Sequence, residues 1–214
     1  MRLELDGDTF DFAPGQAVRV GVPGTERRRP YSIASAPEDA RDFHALELLV
    51  RVDADGRAGE HLPLEPGTAI EVEGPLGTFT FPDYVAARRI VFVAGGTGIA
   101  PLRAMLRHVI ASEPDVRDIG LLYSARTPDD FAYEGEFRDL AARGVIELRQ
   151  TITRAGETDW TGGRGRIDRT ALAELVHDPD TLCFVCGPVA MVDEIPRLLT
   201  ELGVPREKIR IEEW

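Results

Sequence analysis

The rhythm of hydrophobic and polar positions changes once along the chain, near residue 85. Before that point short stretches alternate between apolar and polar side chains and are cut by Gly and Pro, the texture of an all-β segment. Strands are expected over 2–5, 17–22, 30–35, 46–52, 69–73 and 78–81, with turns at Pro14-Gly15, Pro23-Gly24, Asp55-Gly56, Pro66-Gly67 and Gly74-Pro75. Six short strands with no helix among them predict a small antiparallel β-barrel. Beyond the change, strands over 90–94, 119–124, 146–152, 182–186 and 209–212 alternate with helices near 100–111, 130–143, 168–176 and 188–202. Such alternation predicts an α/β domain built on a five-stranded parallel sheet covered on both faces. Pro196 falls inside the last helix, so a kink or two shorter helices are expected there. The boundary gives two domains, 1–86 and 87–214.

One stretch organises the second half. Ile90 to Ala94 is apolar without interruption, as a strand buried on both faces must be, and Gly95, Gly96, Thr97 and Gly98 follow at once. Ile99, Ala100 and Pro101 then open a helix whose Leu102, Leu106, Val109 and Ile110 recur at helical spacing. A strand, a glycine turn and a helix start form a cradle for a diphosphate, because backbone N–H groups and the positive helix end converge on the turn. Gly-Gly-Thr-Gly departs from the usual G-x-G-x-x-G spacing. Ligands of parallel sheets bind beyond the C-terminal strand ends, which directs attention to Gly95–Gly98, Ser124 to Arg126 and Cys186 to Pro188.

A net charge of −12 argues against nucleic acid and anionic membrane surfaces as partners. No apolar run reaches the length of a membrane span and the N-terminus lacks a signal-peptide core, so a cytoplasmic protein is expected. The two cysteines, Cys183 and Cys186, fall on a predicted strand, where residues three apart face opposite sides. Neither a disulfide nor a metal site is expected of them, and the four histidines, His44, His61, His108 and His177, show no ligand spacing.

In the β half, Arg27-Arg28-Arg29-Pro30-Tyr31-Ser32-Ile33-Ala34-Ser35 does not behave as a plain strand. By itself it can be an edge strand with solvated arginines, where Pro30 discourages pairing. Read with the rest of the chain, Arg29-Pro30-Tyr31-Ser32 resembles the Arg-x-Tyr-Ser flavin signature of the ferredoxin–NADP reductase superfamily. Gly74-Pro75-Leu76-Gly77-Thr78-Phe79, Gly95-Gly96-Thr97-Gly98-Ile99-Ala100-Pro101 and Cys186-Gly187-Pro188 resemble further motifs of that family, in its order and across nearly the whole chain.

The resemblance implies a flavin-binding barrel and an NAD(P)-binding domain, and two cysteines are too few for an iron–sulfur cluster. Arg29 would pair with flavin phosphate, Tyr31 would lie against the isoalloxazine or ribityl part, and the Ser32 hydroxyl would bond flavin N5. The turn Gly56-Arg57-Ala58-Gly59-Glu60 would give backbone N–H groups to the phosphates; a serine is common in the family where Gly59 stands. Gly95 to Gly98 and Pro101 would take the dinucleotide diphosphate, and Cys186, with Gly187 and Pro188, would border nicotinamide C4. The chain ends Glu212-Glu213-Trp214, similar to the Glu-x-aromatic terminus of plant-type members, which places Glu212 near the chemistry and the Trp214 ring over the flavin. Ser124 and Arg126 can hold a 2′-phosphate, Asp129 and Asp130 would repel one, and Tyr133 can stack on adenine, so NADH and NADPH both stay open. FAD is the family's commoner cofactor, while the short Gly56–Glu60 segment also resembles that of FMN-binding oxygenase reductases.

The implied activity is transfer of hydride from NAD(P)H to flavin N5, with electrons passed to a protein acceptor such as ferredoxin, flavodoxin or an oxygenase component. Two alternatives accompany it: a non-autonomous electron-transfer subunit of a larger redox complex, and a nucleotide-binding module that has lost flavin. Gly59, and a barrel that begins abruptly at Met1, motivate the second.

Overall fold

The alternating N-terminal stretches do form antiparallel strands, but they are shorter than their hydrophobic pattern. In this computed structural model, which describes residues 1–7, 10–113, 116, 118–154, 156 and 159–213, β1 (Arg2–Glu4), β2 (Ala17–Gly21), β3 (Arg29–Ser32), β4 (Ala45–Glu47) and β5 (Glu71–Leu76) precede the parallel sheet. They make a two-stranded sheet, β1-β4, and a three-stranded sheet, β3-β2-β5, with a bridge between Ile33 and Leu48. Val18, Val20, Ile33, Leu46, Leu48 and Leu62 fill the core beneath them. The expected strand over 78–81 is not among the described strands. Phe79 and Phe81 are buried, yet the Phe81 N–H is bonded to Pro14 O at 3.0 Å, so burial here needs no ladder.

Helix α1 (Pro37–Phe43) lies inside the stretch expected to hold no helix. Pro37 suits the first turn, and Asp39 reaches back to accept the Ala36 N–H at 3.1 Å, which caps the helix without a Ser, Thr or Asp at its N-cap. Contacts divide the chain into two bodies, Met1–Phe81 with Arg103–Ser112, and Pro82–Leu102 with Glu113–Trp214. The Arg103–Ser112 part of helix α2 (Ile99–Ser112) thus belongs with the first body, and its charged groups lock onto it. Arg107 clasps Asp39 through Nε to Oδ2 at 2.5 Å and Nη2 to Oδ1 at 2.6 Å, and Arg103, almost wholly buried, donates to Ala34 O at 2.7 Å and to Glu47 at 2.6 Å.

The second body holds six parallel strands in the order β11-β10-β6-β7-β8-β9. They are β6 (Arg89–Gly95), β7 (Asp118–Ala125), β8 (Glu147–Ile152), β9 (Gly163–Arg164), β10 (Leu182–Gly187) and β11 (Ile209–Glu213). The sixth strand, β9, was not expected: two residues, one of them glycine, carry no alternation to detect, and they pair with Thr151 and Ile152. Val91, Val93, Cys183 and Val185 pack with Leu172 and Leu175 and with Val192, Ile195 and Leu199, from or next to α4 (Arg169–Ala173) and α5 (Val189–Glu201). By strand alternation Phe92 and Phe184 face the other side, where their rings stack at 5.6 Å. Helix α3 (Glu134–Ala142) sends Phe137 and Leu140 into the interior. Pro196 does not split α5, which runs as one element through it although the Val192 carbonyl loses its usual helical donor.

Asp39 gives the first body a pH-dependent fastening. Burial pushes its carboxyl pKa up, but the bonds and charge of Arg107 and the Ala36 N–H outweigh this, and the net shift is downward. A depressed acid stabilises the fold above the unfolded carboxylate pKa, and that contribution is lost as pH falls through the folded value. Asp39→Ala, by removing both cap and ion pair, is expected to lower unfolding free energy by about 2–3 kcal/mol at pH 7. Denaturant titrations should show the gap from the native protein closing below about pH 4.

Candidate functional site

In the first body the residues of interest sit on two neighbouring segments. Strand β3 is an edge strand of its sheet, paired with β2 so that Ala17 faces Ser32, Val18 faces Tyr31, Arg19 faces Pro30 and Val20 faces Arg29. An edge position tolerates Pro30, which has no N–H to give. Arg29 and Pro30 are exposed, and Tyr31 and Ser32 are half-buried. Three consecutive arginines then diverge in their partners. Arg27 pairs with Glu60, and Arg28 pairs with Glu71 at 2.7 Å and Glu73 at 3.2 Å, whereas Arg29 has no carboxylate partner among the described residues.

The second segment is the turn through Gly56, Ala58 and Gly59. Gly56 has φ +76° and donates to Asp53 O, Ala58 packs against the core, and Gly59 has φ +102°, a conformation that disfavours the serine common at this place. Arg27, Arg28 and Arg29 face Gly59, Glu60 and His61 across a cleft of about 440 Å³. Among the described residues no bond from the N–H groups of Ala58, Gly59 or Glu60 to another backbone group is found. An unpaired guanidinium beside available backbone donors is the donor set a phosphate requires, so these residues fit the phosphate end of a flavin nucleotide.

In the second body the C-terminal strand ends line up by register. Glu212, Cys186, Ala94 and Tyr123 form one row across β11, β10, β6 and β7; Glu213, Gly187, Gly95 and Ser124 form the next. The two glycines leave room for the Met191 side chain at the strand ends. A Cβ on Gly187 would lie 2.6 Å from Met191 Sδ, and one on Gly95 would lie 2.8 Å from Met191 Cε and 2.9 Å from Pro188 Cδ. Gly96, Thr97 and Gly98 make a 3₁₀ turn that runs directly into α2, with Pro101 in the first turn of that helix. The Ile99 N–H turns back to Gly96 O and Thr97 O, and the positive end of the helix dipole lies at this turn, where an anion is favoured.

Tyr123, which the sequence reading passed over, pins this turn. Its fully buried hydroxyl donates to Gly96 O at 3.1 Å and accepts the Ala132 N–H at 3.2 Å, while Phe131 and Phe137 press edge-on against its ring. Burial drives its pKa up and keeps it a donor. No pattern in the sequence marks it, since both partners come from outside its strand.

The remaining expected residues fall as follows. Cys183 and Cys186 are buried free thiols; burial pushes Cys183 up to about 12 and Cys186 upward as well, aided by the Glu212 charge. Glu212 is half-buried, and desolvation raises it to about 7. Ser124 is buried, Arg126 is exposed just beyond β7, and Pro188 is the N-cap of α5. Asp130 is occupied in capping, accepting from the Thr127 N–H and hydroxyl. Trp214 lies outside the described residues.

Comparison with known proteins meets this geometry from both ends. Residues 1–81 match the Oxidoreductase FAD-binding domain and residues 92–196 the Oxidoreductase NAD-binding domain. The chain is 37% identical over 220 residues to ferredoxin--NADP reductase B of Sorangium cellulosum, covering 98% of this chain and 88% of that protein. The chain belongs to the ferredoxin–NADP reductase superfamily. As a member of it, the chain is an oxidoreductase with FAD and NAD(P)H as its cofactors, and relatives with protein acceptors surround it. The reductase component of propane 2-monooxygenase from Mycolicibacterium smegmatis is 29% identical over 98% of this chain. The crystal structure of the Amycolatopsis cytochrome P450 reductase GcoB superposes with a TM-score of 0.79, at 28% identity over 96% of this chain. This reductase chain spans 61% and 62% of those two proteins. No helix among its described residues is long and apolar enough to cross a membrane.

Tyr123→Phe removes the bond to the Ala132 N–H and one of the two donors to Gly96 O, which the Ile99 N–H still reaches. A loss of about 1–3 kcal/mol in unfolding free energy is expected, measured by denaturant titration with unchanged slope.

Proposed function

We propose that this chain takes hydride from NADPH onto FAD and passes the electrons to a separate protein, a ferredoxin, a flavodoxin or an oxygenase component. The observation that carries the reading is the register at the C-terminal strand ends, which aligns Glu212, Cys186 and the Gly95–Gly187 contact beside the glycine turn. Bound FAD would supply the hydride-accepting and electron-releasing chemistry. The chain's own residues bind and orient. Arg29 grips flavin phosphate through its fork of N–H donors, and the backbone at Gly56, Ala58 and Gly59 completes the phosphate seat. Tyr31 lies against the flavin, and the Ser32 hydroxyl holds N5. Together these residues make 1–86 the flavin half and 87–214 the nucleotide half.

On the nucleotide side Gly95, Gly96, Thr97, Gly98 and Pro101 hold the diphosphate by N–H groups and helix dipole. Gly187 and Pro188 keep the strand end low enough for the nicotinamide, and Cys186, a neutral thiol, bounds it at C4. Glu212, with a pKa of about 7, keeps a proton in reserve at neutral pH next to Cys186. The protein acts in the cytoplasm, where reduced nucleotide is supplied.

Two arginines favour the 2′-phosphorylated nucleotide. Arg126 follows β7, Arg154 follows β8, the Arg154 N–H is bonded to Arg126 O at 2.8 Å, and neither side chain has a carboxylate partner among the described residues. In a chain of net charge −12, two arginines on neighbouring strand ends, neither with a carboxylate partner among the described residues, suit a dianion. Ser124, being buried, gives less to such a site than its position in sequence suggests.

Stopped-flow absorbance on protein reconstituted with FAD tests this reading. NADPH should bleach the visible flavin band with a kcat/KM about tenfold or more above that for NADH, and the Arg126→Ala/Arg154→Ala pair should bring the two together. A colourless protein that takes up neither FAD nor FMN would refute it, and equal bleaching by the two nucleotides would refute the choice of NADPH.

A further inference from the structure

His61 belongs to none of the motifs above, yet the fold gives it a buried position, with 5% of its surface exposed. It stands two residues past Gly59, at the end of the turn facing the arginines. Its Nε2 is 2.8 Å from the Tyr31 hydroxyl, across thirty residues of sequence, and the two rings lie within 12° of parallel at 6.0 Å. A leucine or phenylalanine could fill this space without the cost of burying ring nitrogens, so what an imidazole adds is the bond to Tyr31. Burial first, then the Arg29 cation, lower the His61 pKa, and a neutral ring results at neutral pH. Burial likewise raises Tyr31, so the hydroxyl keeps its proton. The turn is shaped around this ring: a Cβ on Gly59 would stand 3.2 Å from His61 Nδ1, at a φ already closed to most side chains.

We propose that His61 is a positioning residue for the flavin: by its bond to Tyr31 it fastens the strand carrying Arg29, Tyr31 and Ser32 to the phosphate turn at Gly56–Gly59. The inference rests on the reading of those two segments as the flavin seat. The strand is already held by β2, so the bond serves to place the turn against it before the ligand arrives; the turn then loses less freedom on binding, and affinity rises accordingly. His61 itself need not touch the flavin, because its effect travels through the Tyr31 hydroxyl.

A double-mutant cycle on the full chain tests this, with FAD affinity read from quenching of flavin fluorescence and flavin orientation read from visible circular dichroism. His61→Phe and Tyr31→Phe should each weaken FAD about five- to tenfold, and the double variant should be no weaker than the weaker single variant. His61→Gln, whose amide can still meet the hydroxyl, should recover most of the affinity and the native dichroism. If His61→Phe does not fold, His61→Asn, too short to reach Tyr31, takes its place in the cycle. FAD binding by His61→Phe within twofold of native, or losses that simply multiply in the double variant, would overturn the role of His61 and leave the flavin seat standing. A native chain that binds no FAD would remove both.

Discussion

The nucleotide half depends on how closely two parallel strands end. Gly95 and Gly187 sit side by side where β6 and β10 end, and a Cβ on either would press on the Met191 side chain. Gly96–Gly98 then make the 3₁₀ turn at the head of α2, and Cys186 and Glu212 stand in one row at the neighbouring strand ends. The flanking strands then supply rigidity. Tyr123 holds the turn from the next strand, while the apolar interior of β6 and β10 fixes the register through which every one of these residues is placed.

The flavin half rests on charge pairing of a selective kind. Glu60, Glu71 and Glu73 neutralise Arg27 and Arg28, whereas Arg29 has no carboxylate partner among the described residues. The net charge of −12 makes that selection informative, since acidic side chains outnumber basic ones across the chain. Farther from the cleft the same chemistry works as fastening, where Arg103 and Arg107 are satisfied by Glu47, Ala34 and Asp39.

Legibility in the sequence followed the range of the interactions. An unbroken apolar run closed by glycine announces β6 and its turn, and period-2 and period-3.6 patterns announce both halves and the parallel direction of the long strands. The elements missed are those held by something other than pattern. Helix α1 is short and capped from within by Asp39, although Pro37 followed by two acidic residues was a usable signal. Strand β9 has two residues and no alternation, and 78–81 buries its phenylalanines without joining a sheet. Among site residues, the Arg29–Ser32 and Gly95–Gly98 segments are contiguous and could be read as motifs. Tyr123 and His61 could not, because each owes its place to partners supplied by distant or irregular segments.

The central claim is that reduced nucleotide sits on the C-terminal strand ends around the Gly95–Gly187 contact. Amide hydrogen exchange with and without NADP⁺ measures this directly. Slowed exchange concentrated at Gly96–Gly98, the first turn of α2 and Gly187 is the predicted result. Protection confined to other segments, with these amides unchanged at saturating nucleotide, would contradict it.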